Sequence, residues 1–189
     1  IYKQIPVFAG LGGGSSNAAS LLKFLSKRKI EDKIFNKIIN LAGSDLRLFF
    51  YNQGFLQNLE KVIKFKKKYN LFFLVVYPNI KCSTKEVYSE VKNYNKKKVI
   101  KQNYQNKVAL INQFLKLKND LQSIVEKKYP VIQKLLLNIS NEKGCYFSRM
   151  TGSGSACYGL FRDKRSSKVA LKRLRKKYPK FWFSIAKTI

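Results

Sequence analysis

Histidine is absent from this chain of 189 residues. Its absence excludes Ser-His-Asp triads, histidine general bases and zinc sites built on imidazole. Carboxylates are scarce as well, because ten Asp and Glu stand against 39 Lys and Arg, which gives a formal net charge of +29. A catalytic base is therefore expected among this small set of carboxylates.

Cysteines and long apolar runs are also few. Cys82, Cys145 and Cys157 are odd in number and widely spaced, so they match neither a disulfide framework nor a metal-binding template, and a reducing compartment is expected. The apolar run at residues 71–76 has the length of a strand, and no run is long enough to cross a bilayer. The single methionine is Met150 and the first residue is Ile1, so we expect a processed or truncated chain that lacks functional parts at its N-terminus.

The basic residues are spread along the whole chain. Clusters at residues 66–68, 96–98 and 173–177 are mixed with Asn, Ile, Tyr and Phe. Such a charge suggests an anionic partner, either nucleic acid, a membrane surface or a phosphorylated small molecule. Because no single segment gathers the charge, we expect no specific nucleic acid and no membrane as partner.

Hydrophobic periodicity predicts helices and strands in two groups. Before residue 64 we predict helices at 15–27 and 31–41, the first capped by Ser15 or Ser16, and strands at 46–51 and 55–63. After residue 70 we predict strands at 71–77, 145–150, 156–161 and 181–186, helices at 84–92, 108–126, 130–139 and 166–177, and a polar linker at 93–105. This order, β-α-β-β-α-β with an expanded first helical region, is that of a ferredoxin-like sandwich.

The sharpest motif is the glycine loop Gly10-Leu11-Gly12-Gly13-Gly14-Ser15-Ser16, which leads directly into a predicted helix. Glycines allow main-chain N–H groups to turn toward an anion, and a helix N-terminus adds unpaired N–H donors and partial positive charge. The loop is not a Walker A sequence, because no Gly-Lys-Ser/Thr follows, and Ser15 replaces the third glycine of the dinucleotide fingerprint. We interpret it as a triphosphate-binding loop; the alternative is a flexible loop before a helix.

Asp45 is the candidate catalytic carboxylate. It follows a Gly-Ser turn and precedes an apolar run, whereas most other acidic residues lie among lysines on predicted helices. A kinase needs such a group to accept or orient the proton of the attacking hydroxyl. The alternative is a capping Asp at a turn, which the local pattern alone favours.

A second small-residue segment, Met150-Thr151-Gly152-Ser153-Gly154-Ser155-Ala156, lies between two predicted strands. Its glycines permit a ligand to approach the backbone closely. By itself the segment is better explained as a hairpin turn.

Together these segments resemble the GHMP kinase superfamily along nearly the whole chain. The resemblance is carried, in chain order, by Ile5-Pro6-Val7-Phe8-Ala9-Gly10-Leu11-Gly12-Gly13-Gly14-Ser15-Ser16-Asn17-Ala18-Ala19, Leu41-Ala42-Gly43-Ser44-Asp45, Tyr77-Pro78 with Ser83-Thr84-Lys85-Glu86-Val87-Tyr88, Asn119-Asp120-Leu121, and Arg149-Met150-Thr151-Gly152-Ser153-Gly154-Ser155-Ala156. It implies an α+β GHMP kinase fold. Residues 1–66 would be the end of a ribosomal-S5-like, ATP-binding N-terminal domain, and residues 67–189 a ferredoxin-like C-terminal domain.

The resemblance also implies an activity. This is ATP-dependent phosphorylation, with Mg²⁺, of the 2-hydroxyl of a cytidine diphosphate-linked methylerythritol in the non-mevalonate route to isoprenoid precursors. Asp45 would be catalytic, and the substrate would lie near Thr84, Gly152, Ser153 and Gly154. ATP would be bound by Pro6, Val7, Phe8, Ala9, Gly10, Leu11, Gly12, Gly13, Gly14, Ser15 and Ser16. A monomer or homodimer in a bacterial cytoplasm or a plastid-type organelle is expected.

Several family features are not in the sequence. The family begins with a Lys-x-Asn-Leu strand and has aromatic groups that bind cytosine, and both are absent here. Leu46 replaces the proline after the aspartate, Phe8 replaces a glycine, and a Gly-x-Gly-Glu element is missing near residues 57–62. An inactive fragment, a non-catalytic anion- or RNA-binding remnant, and a sibling small-molecule kinase of the superfamily are therefore the alternatives.

Overall fold

The computed structural model describes residues 4–26, 31–57, 61–92, 94 and 104–189. These residues form two compact units. The sheet unit comprises the described residues of Ile1–Leu11, Tyr69–Val99 and Tyr104–Thr188, and the helical unit comprises those of Gly12–Lys68 with Ile189. The segment up to Leu11, predicted as part of the first domain, thus groups with the sheet unit, and the division of the family's two domains at residues 66 and 67 stays a prediction.

The helical unit contains two α-helices, a 3₁₀ helix and a small hairpin. Helix α1 is Gly13–Leu25, α2 is Asp32–Ala42, the 3₁₀ helix is Ser44–Phe50, and strands β1 (Gly54–Leu56) and β2 (Val62–Lys64) pair antiparallel. Ala19, Ile39 and Leu46 are buried together and form the core of this unit. Helix α2 ends where the N–H of Gly43, at φ 103°, donates to the carbonyl of Ile39 over 2.8 Å.

The strand predicted at residues 46–51 is wrong, because this segment is the 3₁₀ helix. Leu46 is fully buried, and Phe49 and Phe50 pack beside it against the same cluster. In a 3₁₀ helix, residues three apart lie on the same face, which aligns Leu46 with Phe49, whereas a strand would put Phe49 on the opposite face from Leu46. The single strand predicted at 55–63 is also wrong in extent, since β1 and β2 are the two arms of a hairpin.

The sheet unit is built on four antiparallel strands in the order β4-β5-β3-β6. The strands are β3 (Phe72–Tyr77), β4 (Cys145–Met150), β5 (Cys157–Phe161) and β6 (Trp182–Lys187). The helices are α3 (Thr84–Ser89), α4 (Lys107–Leu115), α5 (Gln122–Lys128), α6 (Pro130–Ser140) and α7 (Lys164–Lys177). Helices therefore connect β3 to β4 and β5 to β6, which confirms the predicted ferredoxin-like arrangement. The predicted linker at 93–105 lies mostly outside the described residues.

The core of the sheet unit lies between one face of the sheet and its helices. Leu74 and Phe161 from the sheet pack with Ile132 and Leu135 of α6 and with Leu174 of α7 in one buried cluster. The predicted helix at 108–126 is instead two helices, α4 and α5. At this break the guanidinium of Arg149 donates to the carbonyls of Phe114 and Leu117, at 3.1 and 2.6 Å, so a side chain distant in sequence pairs with carbonyls at and just beyond the end of α4.

Cys82, Cys145 and Cys157 are all free thiols. Burial raises the pKa of the Cys145 thiol to about 12, and burial raises the pKa of Cys157 as well. Among the described residues no group of three or more His, Cys, Asp and Glu side chains is placed to hold a metal ion. Of the helices described, none has both the length and the apolar character needed to span a bilayer.

Candidate active site

The first half of the glycine loop packs on the second glycine-rich segment. The carbonyl of Ala9, whose side chain is 2% exposed, accepts hydrogen bonds from the Ala156 N–H at 3.1 Å and from the Thr151 hydroxyl at 3.2 Å. Gly10 has φ 68°, and a Cβ there would lie 2.8 Å from the carbonyl oxygens of Thr151 and Gly154. Two segments about 140 positions apart in the sequence are thereby brought into direct contact.

The second glycine-rich segment forms a tight turn, which we call the glycine turn and define as residues 151–154. The N–H of Gly154 donates to the Thr151 carbonyl over 2.8 Å. Gly152 and Gly154 have φ of 44° and 89°, a region that side chains disfavour. A Cβ on Gly154 would also lie 2.8 Å from the Met150 sulfur, so the turn is packed against its own strand.

Thr84 joins the same cluster from the start of α3. Its hydroxyl lies 2.9 Å from the hydroxyl of Ser153 in the glycine turn. Ser83, rather than Thr84, is the N-cap of α3, because its side chain accepts the Glu86 N–H. Because Thr84 does not cap the helix, its hydroxyl is available to contact the glycine turn. The hydroxyl of Ser155 donates to the carbonyl of Ile80, four residues before Thr84 in the sequence.

The second half of the glycine loop opens helix α1 in the helical unit. The N-cap is Gly12 with φ 65°, so Ser15 and Ser16 lie inside the first turn and the predicted serine cap is wrong. No side chain caps the helix. The N–H groups of Gly13, Gly14 and Ser15 therefore keep the donor capacity that a helix N-terminus offers to an anion.

Asp45 lies exposed in the first turn of the 3₁₀ helix. Its neighbour Leu46 is fixed in the core of the helical unit, and Phe49 on the same helix is close to the glycine loop, since a Cβ on Gly12 would lie 3.0 Å from its ring. The structure thus combines an anchored backbone with an exposed carboxylate. The catalytic assignment of Asp45 stays a prediction.

The start of the predicted ATP-binding loop is more open. Pro6 is half-buried, while Val7 and Phe8 are exposed. Phe8, which stands where the family often has glycine, adopts φ 61°, and the Lys81 ammonium lies 5.8 Å from its ring. Phe8 thus keeps the left-handed conformation that a glycine would adopt without strain.

Sequence reasoning assigned no role to two side chains that contact the glycine turn or the end of its strand. Asn119 donates to the carbonyls of Met150 and Gly152, and Gln122 accepts the Met150 N–H. Asn119 lies in a segment that resembles the family, but one more asparagine in a Lys- and Asn-rich chain carries little signal by itself. A cleft of about 430 Å³ opens beside these groups, lined among others by Tyr88, Lys118, Asn119, Arg149, Thr151 and Tyr158.

Comparison with known families supports a single ancestry. The family described as "GHMP kinases C terminal" matches residues 96–180. A protein of Pelagibacter ubique (strain HTCC1062) named 4-diphosphocytidyl-2-C-methyl-D-erythritol kinase is 35% identical, over 100% of this chain and 68% of its own length. Proteins of the same name from Prochlorococcus marinus (strain AS9601) and Wolbachia sp. subsp. Brugia malayi (strain TRS) are each 31% identical, over 89% and 100% of this chain and 60% and 67% of their own lengths.

Solved structures share the fold. A 4-(cytidine 5'-diphospho)-2C-methyl-D-erythritol kinase superposes with a TM-score of 0.70 at 22% identity, covering 99% of this chain and 69% of its own. A homoserine kinase from Cytophaga hutchinsonii superposes with a TM-score of 0.69 at 15% identity, covering 99% and 68%. The chain spans about two thirds of the length of these proteins. The predicted superfamily is confirmed, and the chain belongs to the 4-diphosphocytidyl-2-C-methyl-D-erythritol kinase family of the GHMP kinases.

Proposed function

We propose that this protein transfers the γ-phosphoryl group of ATP to the 2-hydroxyl of 4-(cytidine 5'-diphospho)-2-C-methyl-D-erythritol, in the non-mevalonate route to isoprenoid precursors. The observation that carries the proposal is the packing of Ala9 and Gly10 on residues Thr151 to Ala156. It joins the glycine loop to the glycine turn and leaves no room for a side chain at Gly10. A loop fixed in this way can present main-chain donors to phosphate oxygens without reorganising.

The loop from Pro6 to Ser16 binds the ATP phosphates, with the N-terminus of α1 contributing unpaired N–H groups. Mg²⁺ would enter with ATP and would supply neutralisation of charge on the transferred group. In proteins Mg²⁺ is commonly coordinated by water molecules, phosphate oxygens and only one or two carboxylates. The described residues, which hold no acidic cluster, fit a metal that arrives with the nucleotide.

Asp45 accepts or orients the proton of the attacking hydroxyl. Its exposed carboxylate is held by an anchored 3₁₀ helix, which limits the positions that it can reach. Thr84, Gly152, Ser153 and Gly154 bind the acceptor substrate, and the Thr84–Ser153 hydroxyl pair supplies polar groups at that position. We take small molecules rather than nucleic acid or membrane as the partners, and the bacterial relatives favour a cytoplasmic location over a plastid.

The test is a coupled ADP-release assay on the full-length protein with ATP, Mg²⁺ and the cytidine diphospho-sugar alcohol. We expect Asp45→Asn to lower kcat by about two to four powers of ten, the usual contribution of a positioned base. Glu31→Gln is the matched control, because Glu31 is an exposed carboxylate of the helical unit without a capping hydrogen bond, and it should turn over normally. An inactive wild type would refute the function, whereas an active Asp45→Asn variant would refute only the role of Asp45.

A further inference from the structure

An asparagine in the connection between α4 and α5 donates hydrogen bonds to the main chain of the glycine turn and of the residue before it. The Asn119 side-chain nitrogen lies 3.0 Å from the Met150 carbonyl and 2.8 Å from the Gly152 carbonyl. Its side-chain oxygen accepts the N–H of Leu121 at 3.0 Å. Both ends of the amide are thus engaged, and the two donated bonds bracket the first residue of the turn.

Gln122 completes the attachment. Its side-chain oxygen accepts the Met150 N–H at 3.0 Å, and its nitrogen donates to the Glu126 carboxylate at 2.8 Å. Met150 is 1% exposed, and its main-chain carbonyl and N–H are bonded to the side chains of Asn119 in this connection and of Gln122 at the start of α5. Because buried main-chain groups are costly to leave unpaired, these bonds hold the end of β4 against the connection and the first residue of α5.

The turn fixed by these bonds faces both parts of the candidate site in the sheet unit. On one side the carbonyls of Thr151 and Gly154 enclose Gly10 of the glycine loop. On another side Ser153 contacts Thr84. A displacement of the turn would therefore move the surface on which the ATP-binding loop rests.

We propose that Asn119 is a positioning residue for phosphoryl transfer, which it serves by holding the glycine turn against Gly10. This inference rests on the proposed function, because it assigns Asn119 to the ATP side of that reaction. Asn119 acts through the main chain of Met150 and Gly152. Its contribution lies in the two hydrogen bonds that it donates to their carbonyl oxygens.

The chemistry of the amide gives a discriminating substitution. Asn119→Asp keeps an oxygen that accepts the Leu121 N–H, but it places a carboxylate against the Met150 and Gly152 carbonyls and can donate to neither. If Asn119 only shaped the connection between α4 and α5, through its bond to the Leu121 N–H, Asn119→Asp would have little effect. Asn138→Asp is the matched control: Asn138, on α6, donates to the Tyr178 hydroxyl and accepts from the Lys177 ammonium. An aspartate can accept from both, because a tyrosine hydroxyl can turn and donate.

The experiment measures steady-state kinetics of the full-length protein together with hydrogen exchange at residues 151–156. For Asn119→Asp and Asn119→Ala we expect KM for ATP to rise about tenfold, with kcat and the acceptor KM within about threefold, since losing two hydrogen bonds weakens the support of the loop. Exchange of the Gly154 and Ala156 amides should become faster in both variants and stay unchanged in Asn138→Asp.

Wild-type ATP affinity with unchanged exchange in Asn119→Asp would overturn the inference. A fall in kcat with unchanged KM for ATP would overturn it as well. Hydrogen exchange needs no substrate, so it tests the attachment of the turn even where the wild type releases no ADP. That last result would count against the proposed function alone.

Discussion

At the scale of single residues, Gly10 is the position where the candidate site tolerates least change. Its φ of 68° and the two carbonyl oxygens 2.8 Å from a hypothetical Cβ exclude a side chain on both conformational and steric grounds. Gly14, four residues later, lies in α1 with nothing within 4 Å of a Cβ. Both are glycines of one loop, yet of these two only Gly10 must lack a side chain so that the loop can approach the main chain of the glycine turn.

We predict that Gly10→Ala lowers the free energy of unfolding by about 1–3 kcal/mol, because it combines a positive φ with a backbone clash. ATP binding should weaken in parallel. Gly14→Ala is the control and should leave stability unchanged or raise it by up to about 1 kcal/mol, since alanine favours a helix over glycine. Urea unfolding and calorimetric titration with ATP measure the two effects, and equal stability of the two variants would contradict the prediction.

At the scale of elements, the sequence predicted most helices and strands, and its errors have physical causes. The sheet strands and α6 follow from apolar runs and from Pro130 at an allowed first-turn position. The local sequence does not predict the 3₁₀ helix, because the backbone conformation there depends on tertiary packing. Leu46, Phe49 and Phe50 pack in one cluster with Ala19 and Ile39. The local sequence does not predict the break between α4 and α5, where two carbonyls accept hydrogen bonds from Arg149, a side chain distant in sequence.

Helix α7 also begins two residues earlier than the predicted residue 166, because Asp163 is its N-cap. A side-chain oxygen of Asp163 accepts the Ser166 N–H at 2.7 Å, and this bond, with the Ser166 hydroxyl and Arg162, holds the pKa of the carboxyl below its usual value. A lowered pKa in the folded state means that the ionised form stabilises the protein. That contribution is present above the ordinary aspartate pKa and is lost as the pH falls through the lowered one.

We therefore predict that Asp163→Ala lowers the urea midpoint at pH 7, and that its difference from wild type shrinks as the pH falls below about 4. Asp163→Asn keeps a capping oxygen without the titration, so the stability of this variant should depend less on pH in that range. Urea unfolding followed by circular dichroism between pH 3 and pH 7 provides the measurement. A difference that grows on acidification would contradict the assignment of the cap.

At the scale of the whole molecule, the net charge of +29 exceeds what two anionic ligands need. Helix α7 alone carries eight basic residues, all exposed: Lys164, Arg165, Lys168, Lys172, Arg173, Arg175, Lys176 and Lys177. Lys66, Lys67 and Lys68 in the helical unit are exposed as well. Charge distributed in this way attracts polyanions without reading their sequence.

We predict weak binding to duplex DNA of any sequence, with an affinity that falls roughly a hundredfold between about 50 and 200 mM salt if about four phosphates are contacted. Replacing Lys168, Lys172 and Lys176 by glutamine should weaken binding about as much as replacing Lys66, Lys67 and Lys68. Fluorescence anisotropy with two unrelated duplexes measures both effects. A clear preference for one duplex, abolished only by the α7 changes, would instead identify a dedicated interface.

The sequence by itself determined the ancestry of the chain, the ferredoxin-like order of its elements and the residue types for phosphoryl transfer. These depend on the spacing of residues along the chain, on glycines that permit a close approach, and on the lack of histidine in the composition. All three can be recognised without knowing which distant residues are in contact. Only the tertiary structure decided that Gly10 rests on Thr151 and Gly154, that Thr84 meets Ser153, and that Asn119 holds the turn between them. Hydrogen bonds and steric contacts between residues 30 to 140 positions apart depend on how the chain packs, and no local pattern encodes them.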